Sequence, residues 1–419
     1  MNDNSFKLNQ TVDHLFRHES GKMVAVLSRL LGMQNFETAH DIVQDTLLQA
    51  MNSWAFSAIP ENPSAWLMKV AKNKAIDYIR REKRFRTISS EYAYLLQSEY
   101  TLEPTVNNFF LENEITDSQL RMIFACCHPA IPEESQVALT LKTLCGLSNA
   151  EIARAFLTNE ETIAKRIYRA KEKIKSENIG LYVPTGNELP ARLNTVLKTI
   201  YLLFNEGYNS SHPEQLIRED LCSEAMRLCH LLTIQKLTSL PRVKALLSLL
   251  CFQTSRLTAR LDDKGNIIVL KYQDRSKWYR PLIQKGFDYL DAAAEPFEES
   301  PYHLEAAIAS LHAASPSFER TDWKTIYHLY ELLYKMQPGP VVAMNKAIAS
   351  AYALNKEKAL EDLRKIKGLE QHHLYHAAVG EMYFEINEKS LARENFEIAL
   401  GLTQSHTEQQ FLLQKISRC

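Results

Sequence analysis

Only 12 of the 419 residues are glycine, and no long stretch alternates β-branched with polar side chains. Sheets need tight turns, usually glycine-rich, and a two-residue rhythm, so a chain short of both is driven toward helices. The pattern predicts an all-α fold. The length is too great for one compact core and predicts about two to four domains. Proline and glycine punctuation suggests where they part. Pro184-Thr185-Gly186 and the stretch from Glu295-Pro296 to Pro301 interrupt otherwise helical sequence, and the polar stretch around Pro104 reads as a linker. The expected divisions are 1–90, a linker at 91–117, 118–182, 187–294 and 300–419.

Charge averaged over the chain says little, because the formal net value is −1. Local cationic faces are what a phosphate backbone responds to. The first ten residues are polar and lack the basic start and apolar core of a signal peptide. The longest apolar runs, such as 245–251, are too short to cross a bilayer, so a cytoplasmic protein without membrane contact is expected. Seven cysteines, an odd number without paired spacing, fit free thiols in a reducing compartment. Cys126-Cys127-His128 lacks the ligand spacing of a zinc site and reads as small buried residues on a helix ended by Pro129. His372, His373 and His376 read as one helix face with no carboxylate or cysteine beside them. No metal or other cofactor is expected.

The helix after Pro63 carries more information. At about 100° per residue, Trp66, Lys69, Asn73, Asp77, Arg80 and Arg84 share a stripe, while Met68, Ala71, Ala75, Tyr78 and Ile79 lie opposite. An aromatic, an amide and several cations on one face suit unstacked bases and phosphates. A solvated amphipathic helix gives the same pattern, and both readings stay open at this point. On the preceding helix Asp41, Gln44, Asp45 and Leu48 oppose Val43, Leu47, Ala50 and Trp54, leaving an acidic, partly apolar face that suits a basic protein partner.

A second module follows at 147–175. Ser148 and Glu151 have the spacing of a capping box, a turn lies around 157–159, and a helix is predicted over 160–175. Ile163, Ile167, Ala170 and Ile174 form its buried stripe, with Thr162, Lys165, Arg166, Arg169 and Lys173 pointing away. Cap, turn and cationic face together predict a helix-turn-helix whose second helix enters a DNA major groove. Further on, Gly380, Tyr383, Ala392, Phe396 and Ala399 fall at the spacings of a tetratricopeptide helix pair. Ala349, Tyr352, Ala359, Leu363 and Ile366 repeat that order.

These segments resemble sigma-70 factors of the extracytoplasmic-function (ECF) group. Asp41-Ile42-Val43-Gln44-Asp45-Thr46 is similar to the region 2 polymerase-docking motif. Ala65-Trp66-Leu67 through Lys72-Asn73-Lys74-Ala75-Ile76-Asp77 to Arg80-Arg81 is similar to the promoter-melting helix. Residues 147–156 with Glu161-Thr162-Ile163-Ala164-Lys165-Arg166 resemble region 4. Residues 120–129, 203–208 and 273–278 are similar to an ECF branch with a long extension ending in tetratricopeptide-like helices. The resemblance implies core RNA polymerase and promoter DNA as partners. It implies that Asp41, Gln44, Asp45 and Leu48 hold polymerase, and that Trp66, Lys69, Asn73, Asp77, Arg80, Arg81 and Arg84 serve the −10 element. Glu161, Thr162, Lys165, Arg166, Arg169 and Lys173 would serve the −35 element. Ala164 departs from the family, which often places a basic or polar contact there. In this branch the extension is thought to regulate, by contact with the sigma domains or otherwise.

No phosphate-binding loop, nucleophile–base pair or metal signature marks the chain as an enzyme. One rival is a stand-alone helix-turn-helix regulator with a repeat sensor; it leaves the 41–45 helix and the Trp66–Arg84 stripe unexplained. Another is a hydrolase within 189–291, drawing on Asn205-Glu206 and Asp274-Arg275-Ser276, although such residues more often cap and pair than catalyse.

Overall fold

The computed structural model describes residues 2–56, 59–82, 93–155, 158–210, 216–296 and 298–419. The fold is all-α: twenty α-helices and no strand are formed among the described residues, with one isolated antiparallel bridge between Leu261 and Ile267. The chain divides into two compact units, Met1–Leu203 and Phe204–Cys419.

The first unit contains α1 (Asn2–Leu31), α2 (Phe36–Phe56), α3 (Pro63–Glu82), α4 (Ala93–Gln97), α5 (Glu99–Phe109), α6 (Glu112–Cys126), α7 (Glu133–Leu144), α8 (Asn149–Ala155), α9 (Glu160–Ser176) and most of α10 (Glu188–Tyr208). The irregular linker expected before 117 is replaced by helices α4, α5 and the start of α6. Leu102, Val106 and Phe109 are buried, giving α5 an apolar face that its polar residues obscured in the sequence. Pro104 stands inside this short helix, where it has no backbone N–H to donate, and the burial of Leu102, Val106 and Phe109 around it holds the helix in place.

The core of this unit is organised around α1, whose Met23, Val24, Val26, Leu27, Leu30 and Leu31 are all buried. This helix touches α2 and α3 on one side and α6 and α7 on another. Gly21 makes that second contact possible, since a Cβ there would stand 2.2 Å from the Leu144 carbonyl oxygen at the end of α7. Gly146 follows with φ +64°, and its own Cβ would press on Arg17. Ion pairs reinforce the joint: Arg17 with Glu151 at 3.0 Å, Arg29 with Glu114 and Asp117 at 2.9 Å each, and Lys171 with Glu37 at 2.9 Å.

The second unit contains α11 (Glu219–Ile234), α12 (Pro241–Ser255), α13 (Arg280–Ala292), α14 (Pro301–Ala314), α15 (Trp323–Met336), α16 (Pro340–Ala353), α17 (Lys356–Arg364), α18 (His373–Glu385), α19 (Lys389–Leu402) and α20 (His406–Arg418). The apolar run 245–251 lies in α12, which is buried nearly all round and packed by α11, α13 and α14. No helix among the described residues is long and apolar enough to cross a membrane. The helical reading of 187–294 needs one correction. Between α12 and α13 the chain runs through three 3-10 turns, 257–259, 270–272 and 275–277, instead of continuing as α-helix.

From α14 onward, successive helices joined by short turns pack each on the next. A Cβ at Gly380 would meet the Phe396 ring at 2.8 Å, and Tyr383, Ala392 and Ala399 are buried beside it. Small residues thus let α18 and α19 approach while aromatics fill the gap.

Candidate nucleic-acid interface

The acidic face of α2 forms because its other side is consumed by packing. Ile42, Val43, Thr46 and Ala50 are buried, while Asp41, Gln44, Asp45 and Leu48 are exposed. Leu48 is 56 % exposed, and Met51, one turn on, is 57 % exposed. Met51 extends the apolar part of the face and was not singled out in the sequence. Continuing the Asp41, Gln44, Leu48 spacing would have found it. An apolar patch adjoining carboxylates suits a partially basic protein surface.

On α3 the start is set by Pro63 at the first position and Asn62, whose side-chain oxygen accepts from the Ala65 amide at 2.9 Å. Leu67, Ala71, Ala75, Ile76 and Ile79 are buried. Lys69, Asn73, Asp77, Arg80 and Arg81 are exposed, so the polar stripe exists as a stripe. Trp66 differs from its neighbours there. It is half-buried, edge-on to Trp54 with ring centroids 5.5 Å apart, and Trp54 in turn meets Phe16 at 5.6 Å. Arg80 reaches Glu103 of α5 at 2.9 Å. Arg84 lies outside the described residues.

The helix-turn-helix is assembled by local capping. The Ser148 amide donates to Glu151 at 2.7 Å and the Glu151 amide to the Ser148 hydroxyl at 3.2 Å, the reciprocal box expected from the spacing. Asn159 caps α9, its side chain accepting from the Thr162 amide at 2.8 Å. Ile163, Ile167, Ala170 and Ile174 are the buried residues of α9. Glu161, Lys165, Arg169 and Lys173 are exposed, and Thr162 and Arg166 are half-buried.

Several of these cations already have carboxylate partners. Arg166 reaches Glu134 of α7 at 2.5 Å, Lys165 reaches Glu161 at 2.6 Å, and Lys173 reaches Glu177 at 2.9 Å. The latter two are exposed helix-surface pairs that DNA phosphates could replace at little cost. The Arg166 pair comes from a different helix and restricts that side chain to 23 % exposure.

The cysteine and histidine clusters have structural partners. Cys126 and Cys127 are fully buried, with Cys126 3.7 Å from the Thr143 hydroxyl, and desolvation pushes the Cys126 thiol up to about 11. All seven cysteines are free. His373 is not alone on its face, contrary to expectation: Glu408 lies 3.0 Å away, brought there by α20 folding back on α18.

Residues 15–85 match the family Sigma-70 region 2, residues 121–174 match Sigma-70, region 4, and residues 192–294 match a Family of unknown function (DUF6596). An uncharacterized protein of Rhizobium meliloti is 34 % identical over 394 residues, covering 94 % of this chain and 92 % of its own. The ECF RNA polymerase sigma-E factor of Escherichia coli is 30 % identical over 141 residues, which is 33 % of this chain and 72 % of that protein. The corresponding factor of Haemophilus influenzae is 27 % identical over 158 residues, 37 % of this chain and 81 % of its own. No solved structure matches. Sigma-factor families are not enzymes, and the matched architecture here is the region 2 and region 4 pair carried by α1–α3 and α6–α9. The chain belongs to the ECF group of the sigma-70 family, with a helical C-terminal extension.

Proposed function

We propose that this protein binds core RNA polymerase through the exposed face of α2, reads −10 bases with α3 and the −35 element with α9, and so starts transcription at a chosen set of promoters. The observation that carries the reading is the α2 face. Asp41, Gln44, Asp45 and Leu48 stand together in solvent while the opposite side of the same helix is buried. A stand-alone regulator would have no use for an acidic docking surface immediately before a DNA-facing helix. Asn73 exposed between Lys69 and Asp77 supports base capture, and Arg80 and Arg81 supply charge for the backbone. The extension is assigned a regulatory role, and the packing of Gly380 against Phe396 supports a tetratricopeptide-like reading of its paired helices.

The test reverses the charge of the docking face. Asp41→Arg combined with Asp45→Arg is expected to abolish capture of core polymerase in a pull-down while leaving the helical circular-dichroism spectrum intact. A folded double variant that captures core at the wild-type level overturns the assignment.

A further inference from the structure

Two sequence motifs of the extension lie outside the region 2 and region 4 matches, and they meet in the second unit. The first, Phe204-Asn205-Glu206-Gly207-Tyr208, ends α10. The second, Gln273-Asp274-Arg275-Ser276-Lys277-Trp278, forms the last 3-10 turn before α13. Between them stand Arg256 and Arg260, at either end of the turn after α12. The Arg260 guanidinium lies 3.9 Å from the centre of the Tyr208 ring. Those of Arg275 and Arg256 lie 4.0 and 5.5 Å from the centre of the Trp278 indole. Arg256 is also within 5.9 Å of Tyr208, so it bridges the two aromatics.

Three cations gathered on two rings would ordinarily be balanced by buried carboxylates. None of the three makes an ion pair among the described residues. Arg260 is satisfied by the Tyr208 carbonyl and the Asn209 side chain, and Arg275 gives one nitrogen to the His312 carbonyl at 2.9 Å. The remaining donors are orphaned: Nε of Arg256, Nε and Nη2 of Arg275 and Nε1 of Trp278 are buried without a hydrogen-bond partner. Leaving one such donor unpaired costs about 1–3 kcal/mol, so four in one place call for an acceptor the chain does not supply.

We propose that this cluster is a binding site for a small oxyanion, a carboxylate or phosphate group, with Arg256 and Arg275 gripping it over the Trp278 indole. Guanidinium forks match the paired oxygens of either group, and the indole N–H adds a further donor. Burial, followed by the charges of Arg256 and Arg275, pushes His312 down to about 3, so that this neighbour stays neutral and leaves the anion's charge to the arginines. Glu319, whose charge favours protonated Arg275, is exposed and leaves the buried donors unfilled. Their burial favours a small ligand over a polymer backbone. Arg256 makes no side-chain hydrogen bond among the described residues, so its displacement at entry breaks aromatic contact alone.

Thermal melts and titration calorimetry of the full chain test this, with inorganic phosphate and citrate as probes at constant ionic strength and sodium chloride as the control. A saturable rise in Tm is expected with at least one probe and none with chloride. A response to phosphate alone identifies a tetrahedral ligand group, and a response to citrate alone a carboxylate. Arg256→Gln should weaken binding at least tenfold yet keep or raise Tm without anion, since it relieves repulsion from Arg275. Arg256→Lys and Trp278→Phe should bind with intermediate strength and serve if Arg256→Gln fails to fold. No saturable response to either probe overturns the site. So does an equal response from wild type and the variants, or a loss of Tm in Arg256→Gln that is the same with and without anion.

Discussion

Arg166 is held by Glu134 in the free protein, which turns a base-reading assignment into a competition. If Arg166 reads a base edge, Arg166→Ala should cost about 1–3 kcal/mol of promoter affinity, concentrated at one −35 position. Glu134→Gln should tighten binding, because it removes the carboxylate that competes with DNA for Arg166. Affinities across a panel of −35 substitutions decide it; a uniform loss across the panel makes Arg166 a backbone contact. His40, next to the acidic face of α2, makes a second prediction. Burial first, then the charge of Lys171, lowers its pKa to about 4, with Lys142 adding to the effect and Glu37 opposing it. The unfolded chain therefore takes up a proton at His40 near pH 6.5, where the folded chain does not, and stability falls as pH drops from there toward 4. Between pH 7 and pH 5 the loss should be about 2 kcal/mol from this residue, and His312 acts in the same direction. Melts at the two pH values check the sign, and His40→Phe should flatten the dependence. An unchanged slope in that variant would count against His40 as its source. The stripes on α3 and α9 were legible in the sequence because helical period alone decides which side chains share a face. The Arg166–Glu134 pair and the half-burial of Trp66 were not, since both depend on which helix lies alongside.

At the scale of elements, the joint between α1 and α7 is the most exacting contact in the first unit. A Cβ at Gly21 would collide with the Leu144 carbonyl oxygen and carbon, which belong to the backbone and cannot rotate aside. Gly21→Ala must push α1 off the end of α7. We expect a loss of about 1–3 kcal/mol, read as a lower Tm, with faster amide exchange in α1 and α7 than in α3. A variant melting with the wild type would refute the close approach. Packing against other helices, α5 on α1, α3 and α6, explains why α4 and α5 could not be read from sequence. Their polar residues suggested a solvated linker, yet Leu96, Leu102, Val106 and Phe109 are buried, and Arg29 of α1 lies 5.0 Å above the Phe109 ring. Four apolar residues in a polar stretch carry too faint a period until a neighbouring helix gives them something to cover. The capping box at Ser148 and Glu151 was legible for the opposite reason, because its donors and acceptors all lie within four residues.

At the scale of the whole molecule, the extension has to be related to the region 2 and region 4 modules. Helix α10 continues into the first unit, where Leu193, Val196 and Leu197 are buried and Lys198 pairs with Glu133, so a cut at 189 would damage that unit as well. The informative truncation ends after Tyr208. Within the first unit, region 2 and region 4 are held together by Arg17–Glu151 and Lys171–Glu37, and Arg29 ties region 2 to Glu114 in the segment between them. A brace supplied by the extension is therefore not needed to keep the modules in contact. On the proposed reading, α3 and α9 engage separate promoter elements only if that contact opens, and opening has a free-energy cost. An extension with a positive role would offset the cost once polymerase and promoter are engaged, whereas a lid would add to it. We expect the chain ending at Tyr208 to fold, to bind core polymerase and to lose transcription from its promoter. Adding Gly21→Ala to the truncated chain should restore part of the activity, because it weakens the closed contact directly. In vitro transcription with purified core reads the sign. A truncated protein more active than the full chain would establish the extension as an inhibitor, and a failure of Gly21→Ala to restore activity would place its positive role somewhere other than in opening the two modules.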